Sequence, residues 1–134
     1  MAARGREEIL TRYRRLREIS TRHHSEALRS IPRSTLLEQA RRLGLTAGKM
    51  LVADSIDELT LAFDLCLYTA APGRSRGIDR YARSAGVAPG SAPGSDEERM
   101  LQALCQARFS VFQVERPHEI AGLLVRDLIR EESL

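Results

Sequence analysis

The acids, histidines and cysteines are the residues that could carry covalent or proton-transfer chemistry, and their spacing argues against it. Asp57 and Asp64 are seven residues apart, which on a helix places them on one face about 10.5 Å apart along the axis. That separation suits neither arrangement of two carboxylates around a glycosidic bond. His23 and His24 are adjacent, so a helix turns them about 100° apart and they do not easily face one metal. His118 is isolated. Cys66 and Cys105 lie 39 residues apart in apolar runs, DLCLY and LQALCQA. Free cysteines in such runs are ordinarily small buried core residues, and no zinc-ligand spacing is present. The reading is therefore not an enzyme, with no metal and no cofactor.

Arginine is the residue type with something to offer. Residues 1–42 carry 11 arginines against 5 acids, a net of +6, while residues 95–134 carry 5 basic residues against 8 acids, a net of −3. The basic end could meet an anionic partner, or the two ends could attract each other across the fold or a dimer. Three places stand out. Arg12, Arg14 and Arg15 lie in a basic first helix that could hold phosphates without base readout, although Glu7, Glu8, Glu18 and Glu26 are interleaved with them. Ala40, Gly44, Leu45 and Met50 have helix-turn-helix spacing. There Arg41 and Arg42 would touch phosphates and Lys49 would face bases, but Gly48 falls inside the would-be recognition helix and Asp54 closes it.

The third place is GRSRG, where Arg74 and Arg76 flank Ser75 ahead of a helix N-terminus, a ready-made anion position. It is not a P-loop, because GxxxxGK[ST] is absent. The competing role for these arginines is to pair with Asp57, Asp64 or Asp79. Asp64 sits in an otherwise apolar helix, where an unpaired charge would be costly to bury. An arginine partner in a buried ion pair is the preferred reading of Asp64.

The elements that must position these residues are mostly helical. From Glu7 to Ser30, Ile9, Tyr13, Leu16, Ser20, His23 or His24, Ala27 and Ile31 recur at spacings of three and four, a helical stripe that Pro32 ends. Ser34 is expected to cap a second helix, with Leu36, Leu37, Ala40 and Leu43 inward and Gly44 as its C-terminal stop. Ser55 and Glu58 form a capping box for a third helix, IDELTLAFDLCLYTA. That helix is apolar nearly all round, which predicts a central position. IDRYARSA is a short fourth helix. Ser95 and Glu98 form a second capping box, ahead of DEERMLQALCQAR.

Between the last two helices, Ala88–Ser91 repeats as Ala92–Ser95; tandem Ala-Pro-Gly-Ser reads as a flexible linker over 87–95. The tail is open to two readings. As a helix, Pro117 is a first-turn residue and Ile120, Leu123, Leu124 and Leu128 form a stripe; as strands, FSVFQVER pairs with GLLVRDLI. The hairpin is narrowly favoured, since Phe109–Arg116 could not extend a helix past Pro117 and a lone strand needs a partner. On that reading a third strand would begin near Leu134 and be missing.

Two stretches, LGLTAGKMLVADSIDELTLAFDLCLYTAAPGRSRGIDRYARSA and ARFSVFQVERPHEIAGLLVRDLIREESL, resemble a family of uncharacterised bacterial hypothetical proteins with no assigned activity. The resemblance transfers no catalytic residues. It implies members that continue past this C-terminus.

The 134 residues suit one domain, or one domain with an appendage. The expected fold is mainly α: a helical core over 1–86, the linker over 87–95, and a helix-plus-hairpin tail over 96–134 that docks on the core or on a second subunit. No window spans a membrane, and MAARGREEIL lacks the apolar region of a secretory signal, so a cytoplasmic location is expected. The leading functional reading is a non-enzymatic intracellular interaction module, with an unknown protein partner or self-association. The alternative is a nucleic-acid-binding regulator using a degenerate helix-turn-helix or the basic helix.

Overall fold

The computed structural model describes residues 2–85, 92–120 and 122–133. The chain is a mainly helical α+β protein. The elements run α1 (Ala2–Arg29), α2 (Arg33–Arg42), β1 (Thr46–Ala47), β2 (Met50–Leu51), α3 (Ile56–Tyr68), α4 (Gly77–Ala85), α5 (Asp96–Gln106), β3 (Phe112–Pro117), β4 (Leu123–Asp127) and β5 (Glu132–Ser133). They divide into two units: Ile19–Ala107, and Met1–Glu18 with Arg108–Leu134. Helix α5 thus belongs with the other helices, and the strands of the tail are grouped with the first part of α1.

In the helical unit, local signals set the helix ends. Ser55 Oγ accepts the Glu58 backbone N–H at 3.2 Å, and Glu58 Oε2 accepts the Asp54 N–H at 2.7 Å. The same reciprocal cap recurs on α5: Ser95 Oγ accepts the Glu98 N–H at 3.2 Å, and Glu98 accepts the Gly94 N–H. Each satisfies two orphan donors of a first helical turn. Helix α2 differs from expectation. It begins at Arg33, and the position before it is Pro32, in extended backbone with no side-chain cap. The Pro32 carbonyl receives the Thr35 and Leu36 N–H groups, which leaves Ser34 inside the first turn rather than capping it. At the other end Gly44, at φ +75, closes a Schellman motif: the Gly44 N–H reaches the Arg41 carbonyl at 3.0 Å and the Leu45 N–H reaches Ala40 at 2.8 Å.

Past Gly44 the helix-turn-helix expectation fails. Residues 46–51 form a small antiparallel hairpin, with Thr46 opposite Leu51 and Ala47 opposite Met50. Gly48 at φ +64 supplies the left-handed backbone that a two-residue hairpin loop needs at its first position. The glycine that weakened a recognition helix is the turn of a hairpin. Met50, expected inside, is 66 % exposed.

The core of this unit is Ala27, Leu67, Ile78, Tyr81 and Leu104, joined by Leu28, Ile31, Met100, Leu101 and others at its margin. Four helices therefore meet at the C-terminal half of α3. Its N-terminal half departs from the all-round burial that the sequence predicts: Ile56 is 78 % and Leu61 42 % exposed. The inward stripe of α1 likewise begins at Ile19, and Ile9 and Tyr13 are exposed. The adjacent histidines each take a tyrosine. His23, buried, lies 2.9 Å from the Tyr81 hydroxyl and 3.2 Å from the Glu97 carbonyl, and Tyr81 donates to Glu26 at 2.6 Å. The Tyr68 hydroxyl lies 2.6 Å from His24 Nε2, whose Nδ1 lies 3.0 Å from the Ser20 carbonyl. Burial, with Asp64 nearby, pushes the Tyr68 hydroxyl up to about 12.

Of the proposed linker, residues 87–91 lie outside the described residues. Ala92–Ser95 is a tight turn, with the Ser95 N–H on the Ala92 carbonyl at 3.1 Å.

In the second unit the tail is a hairpin, as favoured. Strands β3 and β4 pair antiparallel, Phe112 opposite Asp127 and Pro117 opposite Leu123, with a bulge between Val114 and Arg116. Strand β5 adds to β4, Asp127 opposite Glu132, where the sequence reading had no third strand. Asp127 is buried and organises the turn after β4. It accepts from the Ser110 hydroxyl, the Ile129 N–H at 2.9 Å, the Arg130 N–H at 3.1 Å and the Arg130 guanidinium at 3.1 Å. These donors, Ser110 foremost, hold its carboxyl down to about 2, against an ordinary value of about 3.9. In the interval the unfolded chain binds more protons. The stabilisation is therefore complete above about pH 5 and is lost as pH falls toward 2. NMR amide signals of 110–130 should broaden or shift in that window. In Asp127→Asn the transition should be absent, and an unchanged acid profile would refute the role.

Candidate functional site

Helix α2 places Thr35, Glu38, Gln39 and Arg42 at spacings of three and four, so they share one face. That face forms one wall of an open cleft of about 1270 Å³; the other wall is Leu65, Cys66 and Thr69 of α3 with the loop that follows, and Arg80 reaches in from α4. All of it lies within the helical unit.

The cleft gathers Arg41, Arg42, Arg74 and Arg80 against one acid, Glu38. Their hydrogen bonding divides them. Arg80 donates to the Ser75 carbonyl, and Arg83, outside the cleft, donates to Ser75 Oγ at 3.0 Å. Together they hold the 70–76 loop. The side chains of Arg41, Arg42 and Arg74 are exposed, and among the described residues none has a hydrogen-bond or ion-pair partner. Arg76, expected beside Arg74 in the same role, is fully engaged. It makes a two-pronged pair with Asp79, 2.8 Å on each arm, and donates to the carbonyls of Cys105 and, at 2.9 Å, Ala107. It ties the start of α4 to the end of α5, and Asp79 is held below the usual carboxylate range by that bond.

The arginine partner expected for Asp64 is therefore taken by Asp79, and among the described residues no arginine pairs with Asp64. Asp64 is partly buried; burial pushes its carboxyl up and His24 pulls it the other way. Lys49 is exposed in the loop of the β1–β2 hairpin, and the cleft does not include it. Arg12, Arg14 and Arg15 belong to the other unit. Sequence reasoning brought Arg41, Arg42 and Arg74 forward separately and missed Arg80, whose signal was its position four residues after Arg76 on the helix that GRSRG leads into.

Cys66 lines the cleft, but burial and then Glu38 push its thiol up, away from the reactive thiolate. Among the described residues no three of His, Cys, Asp and Glu come together as a metal site, and no helix is long and apolar enough to cross a membrane.

A model of a family of unknown function, DUF7986, matches residues 7–134. The chain belongs to this family. The match takes in both units, so the DUF7986 region includes the cleft and the hairpin alike. No curated protein and no solved structure matches the chain.

Proposed function

We propose that this DUF7986 chain is a non-enzymatic binding module that recognises its partner by negative charge at the α2–α3 cleft. The observation that carries the reading is that Arg41, Arg42 and Arg74, without side-chain partners among the described residues, line one concave surface. Like charges gathered in one cleft repel each other, which an anion bound among them relieves. A guanidinium left open in a cleft is the residue type that matches carboxylate and phosphate oxygens with two parallel bonds. The Cys66 thiol, pushed up by burial and away from the reactive thiolate, favours binding over catalysis. The helix-turn-helix version of nucleic-acid recognition has no recognition helix to use.

Inorganic pyrophosphate is a suitable probe. Titrated into the full chain, it should shift the amide signals of 35–42 and 70–80. Its affinity should fall steeply between 50 and 300 mM salt, because partly exposed charge pairs are screened. The triple variant Arg41→Gln, Arg42→Gln, Arg74→Gln should abolish the shifts, while Lys49→Gln leaves them unchanged. Shifts that survive the triple variant, or none at millimolar pyrophosphate, would refute the reading.

A further inference from the structure

The lining of the cleft says more about the ligand than its charge does. The three open guanidiniums line a single concavity, Arg41 and Arg42 on the α2 wall and Arg74 on the loop after α3, so one compact, multiply charged group can be held between the two walls. No Phe, Tyr or Trp lines the cleft, so the stacking platforms on which single-stranded nucleic acids lie are absent. Glu38 stands among the cationic side chains. A carboxylate there repels a second anionic group and offers only acceptor oxygens, which suit hydroxyl donors. Gln39 and Thr35, beside it on the same helical face, add further neutral hydrogen-bonding groups. Across from them Leu65, Ala70, Ala71 and Pro72 supply a short apolar surface. The volume, about 1270 Å³, is ample for a small molecule, since ligand pockets run roughly 300–1,000 Å³.

We propose that the cleft takes one phosphate monoester carried on a small, hydroxylated, non-aromatic carbon skeleton, with Arg41, Arg42 and Arg74 on the phosphoryl oxygens and Glu38 accepting from the skeleton's hydroxyls. This rests on the anion-binding reading above and narrows it. The monoester dianion, compact and doubly charged, matches three guanidiniums better than a phosphodiester, which carries one charge. The ligand is bound and released unchanged.

Calorimetric titrations of the full chain with glycerol 3-phosphate, orthophosphate, sulfate and a single-stranded oligonucleotide test it. Glycerol 3-phosphate should bind best, and R41Q, R42Q and R74Q should each weaken it about tenfold, as expected when a charge-assisted contact worth about 1.4 kcal/mol is removed. These side chains are exposed, so the variants should keep the wild-type circular dichroism. E38Q should narrow the preference of the site for glycerol 3-phosphate over orthophosphate. Between pH 8 and pH 5 glycerol 3-phosphate should weaken by about tenfold as its second ionisation near 6 is reversed, while sulfate, whose charge is constant there, should not. Equal affinity for orthophosphate and glycerol 3-phosphate would overturn the assignment of the carbon skeleton. Tighter binding of the oligonucleotide, or pyrophosphate binding without any response to glycerol 3-phosphate, would overturn the monoester assignment and leave the anion-binding reading standing. Silence from every anion would overturn both.

Discussion

Leu67→Ala should lower the unfolding free energy by about 3–5 kcal/mol, while Leu61→Ala, on the same helix and of the same chemistry, should cost less than about 1 kcal/mol. Leu67 is fully buried and, with Ile78, is one of the two largest side chains with no exposure. It packs where α1, α4 and α5 converge, against Ala27, Tyr81 and Leu104. Removing it leaves a cavity lined by four helices, which cannot all shift inward to fill it, so the cavity term adds to the transfer term. Leu61 is 42 % exposed; its truncation removes atoms that already touch water. Urea denaturation followed by circular dichroism at 222 nm measures both. Equal losses would mean that α3 is buried along its whole length, as its composition alone suggests, and that the core described here is drawn in the wrong place.

That contrast marks where the sequence stops being informative. What was legible was local. Ser55 with Glu58, Ser95 with Glu98, and Gly44 each act within one turn of chain, and the capping hydrogen bonds form where those residues predict them. The hairpin was legible for a similar reason: Pro117 and the branched residues on either side of it disfavour one continuous helix. The β1–β2 hairpin was missed because two-residue strands leave almost no pattern; Gly48 beside Lys49 was the available sign, and it was weighed as a defect in a helix. The half-exposure of α3 was not legible at all, because periodicity reports which faces are apolar and not how many other elements remain to cover them. The cleft is the clearest case. Arg41 and Arg42 lie more than thirty residues from Arg74 and Arg80, and only the packing of α2 against α3 brings them to one surface. Nothing in their local spacing distinguishes Arg74, which is open, from Arg76, which is engaged. That difference depends on Asp79 and on the carbonyls at the end of α5.

Gly77→Ala should destabilise the protein by about 1–3 kcal/mol, although replacing a helical glycine with alanine ordinarily stabilises by up to about 1 kcal/mol. The reversal follows from where α4 begins. A Cβ on Gly77 would lie 2.7 Å from the Cys66 carbonyl oxygen, 2.8 Å from Ile31 Cδ1 and 3.2 Å from Leu67 Cα. Ile31 can rotate its terminal methyl away, but the other two atoms are backbone of α3 and cannot move without displacing the helix. Glycine is therefore required here by close approach, not by conformation. Gly5→Ala is the control, since nothing lies within 4 Å of a Cβ there; it should be neutral or slightly stabilising. Ile31→Val in the Gly77→Ala background removes one of the three contacts and should recover only part of the loss. Full recovery would show that the side chain, not the backbone, sets the limit. The consequence reaches the cleft. Gly77 follows directly on the loop that carries Arg74 and precedes Arg80 on α4, so a shift of α4 away from α3 moves both arginines relative to Arg41 and Arg42. Gly77→Ala should therefore weaken pyrophosphate binding even at temperatures where the variant is fully folded. A folded Gly77→Ala protein with unchanged stability and unchanged affinity would show that α4 does not pack as closely on α3 as described.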